Sequence, residues 1–341
     1  MATIIVTTIA DNTDTDTLVT LREAIKAANE NSSVDGSVAG DSGADTIDLS
    51  GLSGTITLDA EELEITEELT IIGPDSTVLT IDADGKSRVF NSSAPLTIEW
   101  LKITGGLLES GTGAGIYAED GLTIRNSEVS SNSAPGYGGG IYSYSGTVTI
   151  EDSTISGNSS GGDGGGVYAK DTVTITNSEI SGNTSDGDGG GVYASNATII
   201  ITDSEVSGNS SGDYGGGLYG HEITVTNTTI LDNTGRYGGG IYSYSGTVTI
   251  EDSTISGNAS ESSGGGVYIY DDGNLTITNS EISGNTSDSY GGGIYSASGT
   301  VTIEDSTISG NLSGSGGGVY ASVPVTITNS EISGNTSDSY G

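Results

Sequence analysis

Between Gly220 and Gly240 the chain reads GHEITVTNTTILDNTGRYGGG, a stretch that holds His221, Glu222, Asp232 and Arg236. An imidazole, carboxylates and a guanidinium are the groups that lyase or hydrolase cleavage of a polysaccharide would use as acid, base and charge clamp. From Gly115 onward the cationic or imidazole partners for the many acids are Arg125, Lys170, His221 and Arg236. His221, Arg236 and Asp232 are therefore the catalytic nominees. The competing reading is drift in surface turns, and the sequence favours it, so no catalytic residue is assigned. Turns such as SGGDGGG scatter their acids too widely for a calcium loop. No metal site is expected, and loosely bound Ca2+ is the one cofactor left open.

Two columns of residues carry other chemistry. Tyr117, Tyr142, Tyr168, Tyr193, Tyr219, Tyr242, Tyr268, Tyr295 and Tyr320 recur every 23 to 27 residues. If Ile141 and its equivalents point inward, these rings point outward, and an aromatic stripe can stack on sugar rings. A cross-strand ring ladder also stabilises a sheet by itself, which is the favoured reading. The second column is Asn132, Asn158, Asn183, Asn209, Asn233, Asn258, Asn285, Asn311 and Asn335. Buried, it would form a ladder of amides, each bonded to the next. Seven of these Asn, at 158, 183, 209, 258, 285, 311 and 335, also begin N-x-S/T sequons. A ladder amide cannot carry a glycan, and the ladder is the preferred reading. A third column, running from Thr149 to Thr326, could order water and bind ice, but exposed Thr is also a good strand residue.

The elements that position these columns follow from the repeat. GGGIYSYSGTVTIEDSTISGN occupies Gly138–Asn158 and returns unchanged at Gly238–Asn258. Within a repeat the apolar period is two: Val148, Ile150 and Ile155 face one way, while Thr147, Thr149 and Glu151 face the other. A unit of this length, with three short strands and no helix, cannot cover its own apolar face. Stacking units with parallel pairing at ~4.8 Å per turn buries one continuous core. The expected fold is all-β: a parallel β-helix of about 12 rungs, each of ~25 residues, with three faces. Val148, Val173, Ile199, Ile223, Val248, Leu275, Val301 and Val325 should form one inner row. Ile150, Ile175, Ile201, Val225, Ile250, Ile277, Ile303 and Ile327 should form another. A propeller of similar period would need four strands per blade. EDST rungs tend to alternate with TNSE rungs, which keeps like charges from sitting opposite one another across a strand pair.

Before the repeats, residues 17–31 (TLVTLREAIKAANEN) predict a helix with Leu21, Ile25 and Ala28 on one face and a cap at Asp14, Thr15 or Thr17. Three segments are expected: an N-terminal cap at 1–45, irregular first rungs at 46–114, and regular repeats at 115–341. TLREAIKAAN, followed by ADTIDL, GTITL, LTIIGP, LTIDADGKSRVF and LTIEWLKITGG, resembles the N-terminal region of CSLREA-type secreted right-handed β-helix proteins. Val19-Thr20 stand where that motif has Cys-Ser. The resemblance implies a right-handed, pectate-lyase-like winding and a secreted or cell-surface setting, and it implies no single reaction.

Composition narrows the partners. Eight basic residues against 46 acidic ones give a net charge of −38, which disfavours nucleic acid and anionic membranes. Zero cysteines excludes disulfides and thiolate chemistry. No apolar stretch approaches the ~20 residues of a membrane span, so no membrane insertion is expected, and MATIIVTTIADN does not read as a signal peptide. NTSDSYG ends the chain inside a repeat, which would leave an open C-terminal edge suited to self-association. The near-identical copies also fit an idealised repeat protein. The sequence thus favours an elongated structural or surface-display module, with glycan binding on the Tyr face as the first alternative and polysaccharide cleavage as the second.

Overall fold

Thr20 opens the one helix among the described residues, which are 1–59, 61–74 and 79–340 of this computed structural model. Helix α1 runs Leu21–Glu30. Thr20 is extended (φ −82°, ψ 165°); its hydroxyl accepts from the Glu23 N–H, and its own N–H donates to the Glu23 carboxylate at 2.9 Å. This reciprocal capping box satisfies two backbone donors at once. It starts the helix later than residue 17, and Asp14, Thr15 and Thr17 do not cap it. The amides of Asp16 and Thr17 turn instead to Asp35, at 3.1 and 2.8 Å. Asn31, left-handed at φ 52°, ends the helix. Replacing Thr20 with Ala removes a cap that is almost fully buried. It should cost about 1–2 kcal/mol in denaturant unfolding, with faster amide exchange confined to the first turn of α1.

The helix closes one end of a stack. Leu21, Ala24, Ile25, Ala27 and Ala28 are buried, and α1 packs on the strands Thr3–Ile5, Asp45–Asp48 and Leu63–Ile65. Arg22 fixes its orientation: its guanidinium meets Asp11 at 2.8 and 2.9 Å and reaches the Glu61 and Glu62 carbonyls at 2.8 and 3.1 Å. Apolar core and unpaired strand edges that a first rung would expose are covered in this way.

Every strand pairing among the named strands is parallel, in three sheets of 22, 12 and 9 strands. A regular rung gives two strands to the first sheet and one to each of the others, as in Ile141–Ser143, Val148–Glu151, Thr154–Ser156 and Ser159–Ser160. The chain winds right-handed through about 11 turns, the hand that parallel crossovers adopt. Both expected inner rows are in register, Val148 on Val173 and Ile150 on Ile175, with Val148, Ile150 and Ile155 fully buried. The last members, Val325 and Ile327, pair with Val301 and Ile303 but are exposed rather than inside. No helix among the described residues is long and apolar enough to cross a membrane.

Each corner has its own solution. The first is made by a left-handed Asp or Asn, strictly alternating through Asn126, Asp152, Asn177, Asp203, Asn227, Asp252 and Asn279. Short polar side chains tolerate that conformation, and alternation lets each amide meet a carboxylate. Asn227 donates to Asp203 at 2.5 Å, and the Asn177–Asp152 and Asn279–Asp252 pairs repeat the contact. The EDST/TNSE rhythm therefore pairs corners as well as spacing the Glu residues. That spacing holds for Glu151 opposite Thr176 but fails where Glu179 faces Glu205. The second corner uses left-handed glycine, as at Gly157, Gly182 and Gly208, and Asp232 occupies the same slot at φ 53°.

Candidate functional site

The tyrosine column stacks as a ladder. Tyr168–Tyr193 and Tyr193–Tyr219 both have ring centroids 4.8 Å apart at 13°, and Tyr242–Tyr268 are 5.0 Å apart at 16°. The rings lie outside the aliphatic core and form a second apolar cluster around Tyr219, Tyr242 and Tyr268. They are not the open stripe that outward alternation suggests: Tyr242 is 3% exposed, and Tyr142, Tyr219 and Tyr268 are 7 to 8% exposed. A second tyrosine column covers them. Tyr137 lies over Tyr168 at 5.0 Å, Tyr214 over Tyr242 at 4.7 Å, and Tyr290 over Tyr320 at 4.8 Å. Burial, and then neighbouring phenols or acids, pushes Tyr168, Tyr219, Tyr242 and Tyr268 up from the usual phenol range, so these hydroxyls stay protonated donors. The tyrosine directly before four of the Gly-Gly-Gly runs, in GYGGG, DYGGG, RYGGG and SYGGG, is the sequence signal for this cover; Asp163, Asp188, Ser263 and Ser315 hold that position in the others.

Beside the ladder, Tyr244 and Tyr270 form a third row, stacked at 5.6 Å and 49% and 47% exposed. Between the rows lies a cleft of about 300 Å³ lined by Tyr214, Tyr219, Tyr237, Tyr242, Tyr244, Tyr268 and Tyr270. Two covering rings, Tyr214 and Tyr237, stack at 5.3 Å to make one wall; Tyr244 and Tyr270 make the other. Gly220 pairs with Ser243, and the Tyr244 N–H donates to the Gly220 carbonyl, so His221 precedes Tyr244 in its wall.

The opposite wall changes character below Tyr214. Successive carbonyls of Asp163, Asp188, Tyr214 and Tyr237 accept from Gly138, Gly164, Gly189 and Gly215, which places these four residues in one column. The Asp163 carboxylate accepts from the Asp188 N–H at 3.0 Å, and the Asp188 carboxylate from the Tyr214 N–H at 3.1 Å. Burial pushes Asp188 up to about 7 from an ordinary 3.8, aided by the charges of Asp163 and Asp213 and opposed by the Tyr214 N–H. Asp163 is pushed up by the same main cause. A carboxyl whose folded pKa is raised holds more protons folded than unfolded across that window, so stability falls as pH rises from about 4 to 7. Denaturant midpoints measured across this range should show the decline, and Asp188→Asn should flatten it.

The three catalytic nominees occupy different places. His221 sits in the first-sheet strand Leu218–Thr226, with Nδ1 2.8 Å from the Ser245 hydroxyl. Asp232 is an exposed corner residue between the second and third sheets. Arg236 lies in the third-sheet strand Thr234–Tyr237, with Nη1 3.4 Å from Asp213 and its guanidinium 5.5 Å from the centre of the Tyr237 ring. His221 and Arg236 each meet a neighbour outside the trio, Ser245 and Asp213. Among the described residues, no group of three or more His, Cys, Asp or Glu side chains is placed to hold a metal ion.

The asparagine column is buried and continuous. Asn158 Nδ2 donates to Asn183 Oδ1 at 3.0 Å and to the Val129 carbonyl at 2.9 Å, while its N–H donates to the same Oδ1. Asn183, Asn209, Asn233, Asn258, Asn285 and Asn311 repeat this pattern toward Asn335. Both amide hydrogens are committed from Asn158 to Asn311, which closes six of the seven sequons in the folded protein, while the half-buried Asn335 donates to the Ile308 carbonyl at 2.7 Å. Sequence reasoning missed a second ladder, of hydroxyls. The N–H of Ser153 donates to Ser178 Oγ, that of Ser178 to Ser204 Oγ, and that of Ser204 to Thr228 Oγ1, at 3.0 to 3.2 Å. Its signal is the hydroxyl residue that follows each left-handed Asp or Asn of the first corner, from Asn126 to Asn279.

The solved structures include one similar chain, the A-module of mannuronan C-5 epimerase AlgE6 from Azotobacter vinelandii. It is 15% identical with a TM-score of 0.49, over 93% of this chain and 94% of that one. No curated protein sequence matches. A family model described as "Right handed beta helix region" matches residues 112–265 and 239–341. With parallel rungs stacked one on the next among the described residues, the chain belongs to the right-handed β-helix family.

Proposed function

We propose that the chain works as a non-enzymatic, elongated β-solenoid module whose task is its own shape, a stiff spacer or display surface in an extracellular or cell-surface structure. One observation carries this reading: the polar and aromatic residues that recur in rung after rung are consumed between rungs. Asn bonds Asn, Ser bonds Ser, and Tyr stacks on Tyr. Groups already committed to neighbours are poorly placed to turn over a substrate. The exported setting is supported by the order of the CSLREA-like N-terminal motifs, TLREAIKAAN through LTIEWLKITGG.

The test is incubation with neutral and acidic polysaccharides, followed by assay for new reducing or unsaturated ends. No turnover is expected from the native protein. Turnover that disappears in His221→Ala or Arg236→Ala would replace this reading with an enzymatic one.

A further inference from the structure

We propose that the cleft walled by Tyr214 and Tyr237 on one side and by Tyr244 and Tyr270 on the other binds a linear, uncharged glycan lying along the solenoid axis. The inference is independent of the scaffold role. Its walls are tyrosines outside the ladder column, whose Tyr219, Tyr242 and Tyr268 form the floor and are too deeply covered to serve as platforms themselves.

The lining is entirely phenolic. A pyranose ring offers C–H faces to aromatic rings and hydroxyls at its rim, and tyrosine matches both, with an apolar body and a polar tip. Each wall repeats at the rung spacing, Tyr214 to Tyr237 at 5.3 Å and Tyr244 to Tyr270 at 5.6 Å. An extended ligand therefore meets equivalent surfaces at successive rungs only when it runs parallel to the axis. Protonated phenols on the floor supply donors at its base.

Charge selects among glycans. None of the seven lining residues is acidic or basic. Nearby, Asp213 spends Arg236 in an ion pair, Asp271 and Asp272 directly follow Tyr270, and the chain carries a net −38. A uronate or sulfated chain would enter against this field and find no cation in the cleft, whereas an uncharged chain loses nothing.

The experiment is titration of the whole chain with hexamers of β-linked glucose and β-linked mannose and with a uronic acid hexamer, followed by saturation-transfer NMR and tyrosine fluorescence. Binding of a neutral hexamer and none of the uronate is expected. Tyr244 and Tyr270 are half exposed, so the double variant Tyr244→Ala/Tyr270→Ala should keep the native melting curve while affinity falls by about tenfold or more. Tyr144→Ala, an exposed tyrosine outside the cleft, should bind as the native chain does. Failure of both neutral hexamers to bind, uronate binding of equal strength, or unchanged affinity in the double variant overturns the proposal.

Discussion

Replacing Asn209 with leucine should destabilise the protein by about 4 kcal/mol, although leucine has nearly the right size and full burial awaits it. Asn209 is 0% exposed. Its Oδ1 accepts the N–H of Asn183 at 3.0 Å and one Nδ2 hydrogen of Asn183 at 2.9 Å. Its Nδ2 donates to the Ile180 carbonyl at 2.8 Å and to Asn233 Oδ1 at 2.9 Å. Leucine leaves all four partners short of a bond, deep inside the stack. A buried orphan costs about 1–3 kcal/mol, and burial of the leucine's own apolar surface offsets part of the sum. Urea unfolding gives the total. Amide exchange locates it, with protection falling first at Asn183 and its flanking rungs, because a solenoid distributes stability among nearest neighbours. A loss below about 1 kcal/mol would mean that the ladder adds little to the stack.

Gly216→Ala should be the second severe change, costing about 3 kcal/mol or more for one added methyl. A Cβ there would lie 2.2 Å from the Thr234 carbonyl oxygen and 2.4 Å from that of Gly239, both backbone atoms of the next rung. Neither can step aside without opening the inter-rung hydrogen bonds at the Gly-Gly-Gly corner. Gly157 is the control: it has a left-handed φ of 60°, but nothing lies within 4 Å of its ideal Cβ. Gly157→Ala therefore carries only the conformational penalty, about 1–2 kcal/mol. Unfolding midpoints should fall in that order; the reverse order would mean that backbone strain, not crowding, dictates the triple glycine.

Both changes show what could be read from the letters. Period-two alternation placed Val148 and Ile150 inside because a strand has only two faces, and recurrence at one spacing fixed which residues stack. The Asn ladder followed from the same recurrence. Other features depend on direction rather than spacing. Ser153 and Ser178 look like ordinary turn residues until the left-handed Asp or Asn before them aims the hydroxyl back along the stack. Tyr214 and Tyr237 sit before glycines, where propensity suggests loop, so their service as covers over the ladder, and as one wall of the cleft, depended on how the corner folds. Thr20 was hidden by better-known capping candidates upstream, although Glu23 three residues on was the decisive sign. The His221, Asp232 and Arg236 grouping drew on nearness in sequence, which a coil of this length spreads around its perimeter.

The alternating corners imply a grammar of pairs. Because Asp152 is answered by Asn177 and Asp203 by Asn227, the smallest unit that can be excised or duplicated without disturbing its neighbours is two coils long. Removing one coil would set aspartate against aspartate, or asparagine against asparagine, at the seam, whereas removing two would leave the sequence of partners intact. The verbatim copies beginning at Gly138 and Gly238 stand an even number of coils apart, as growth by doubled units requires.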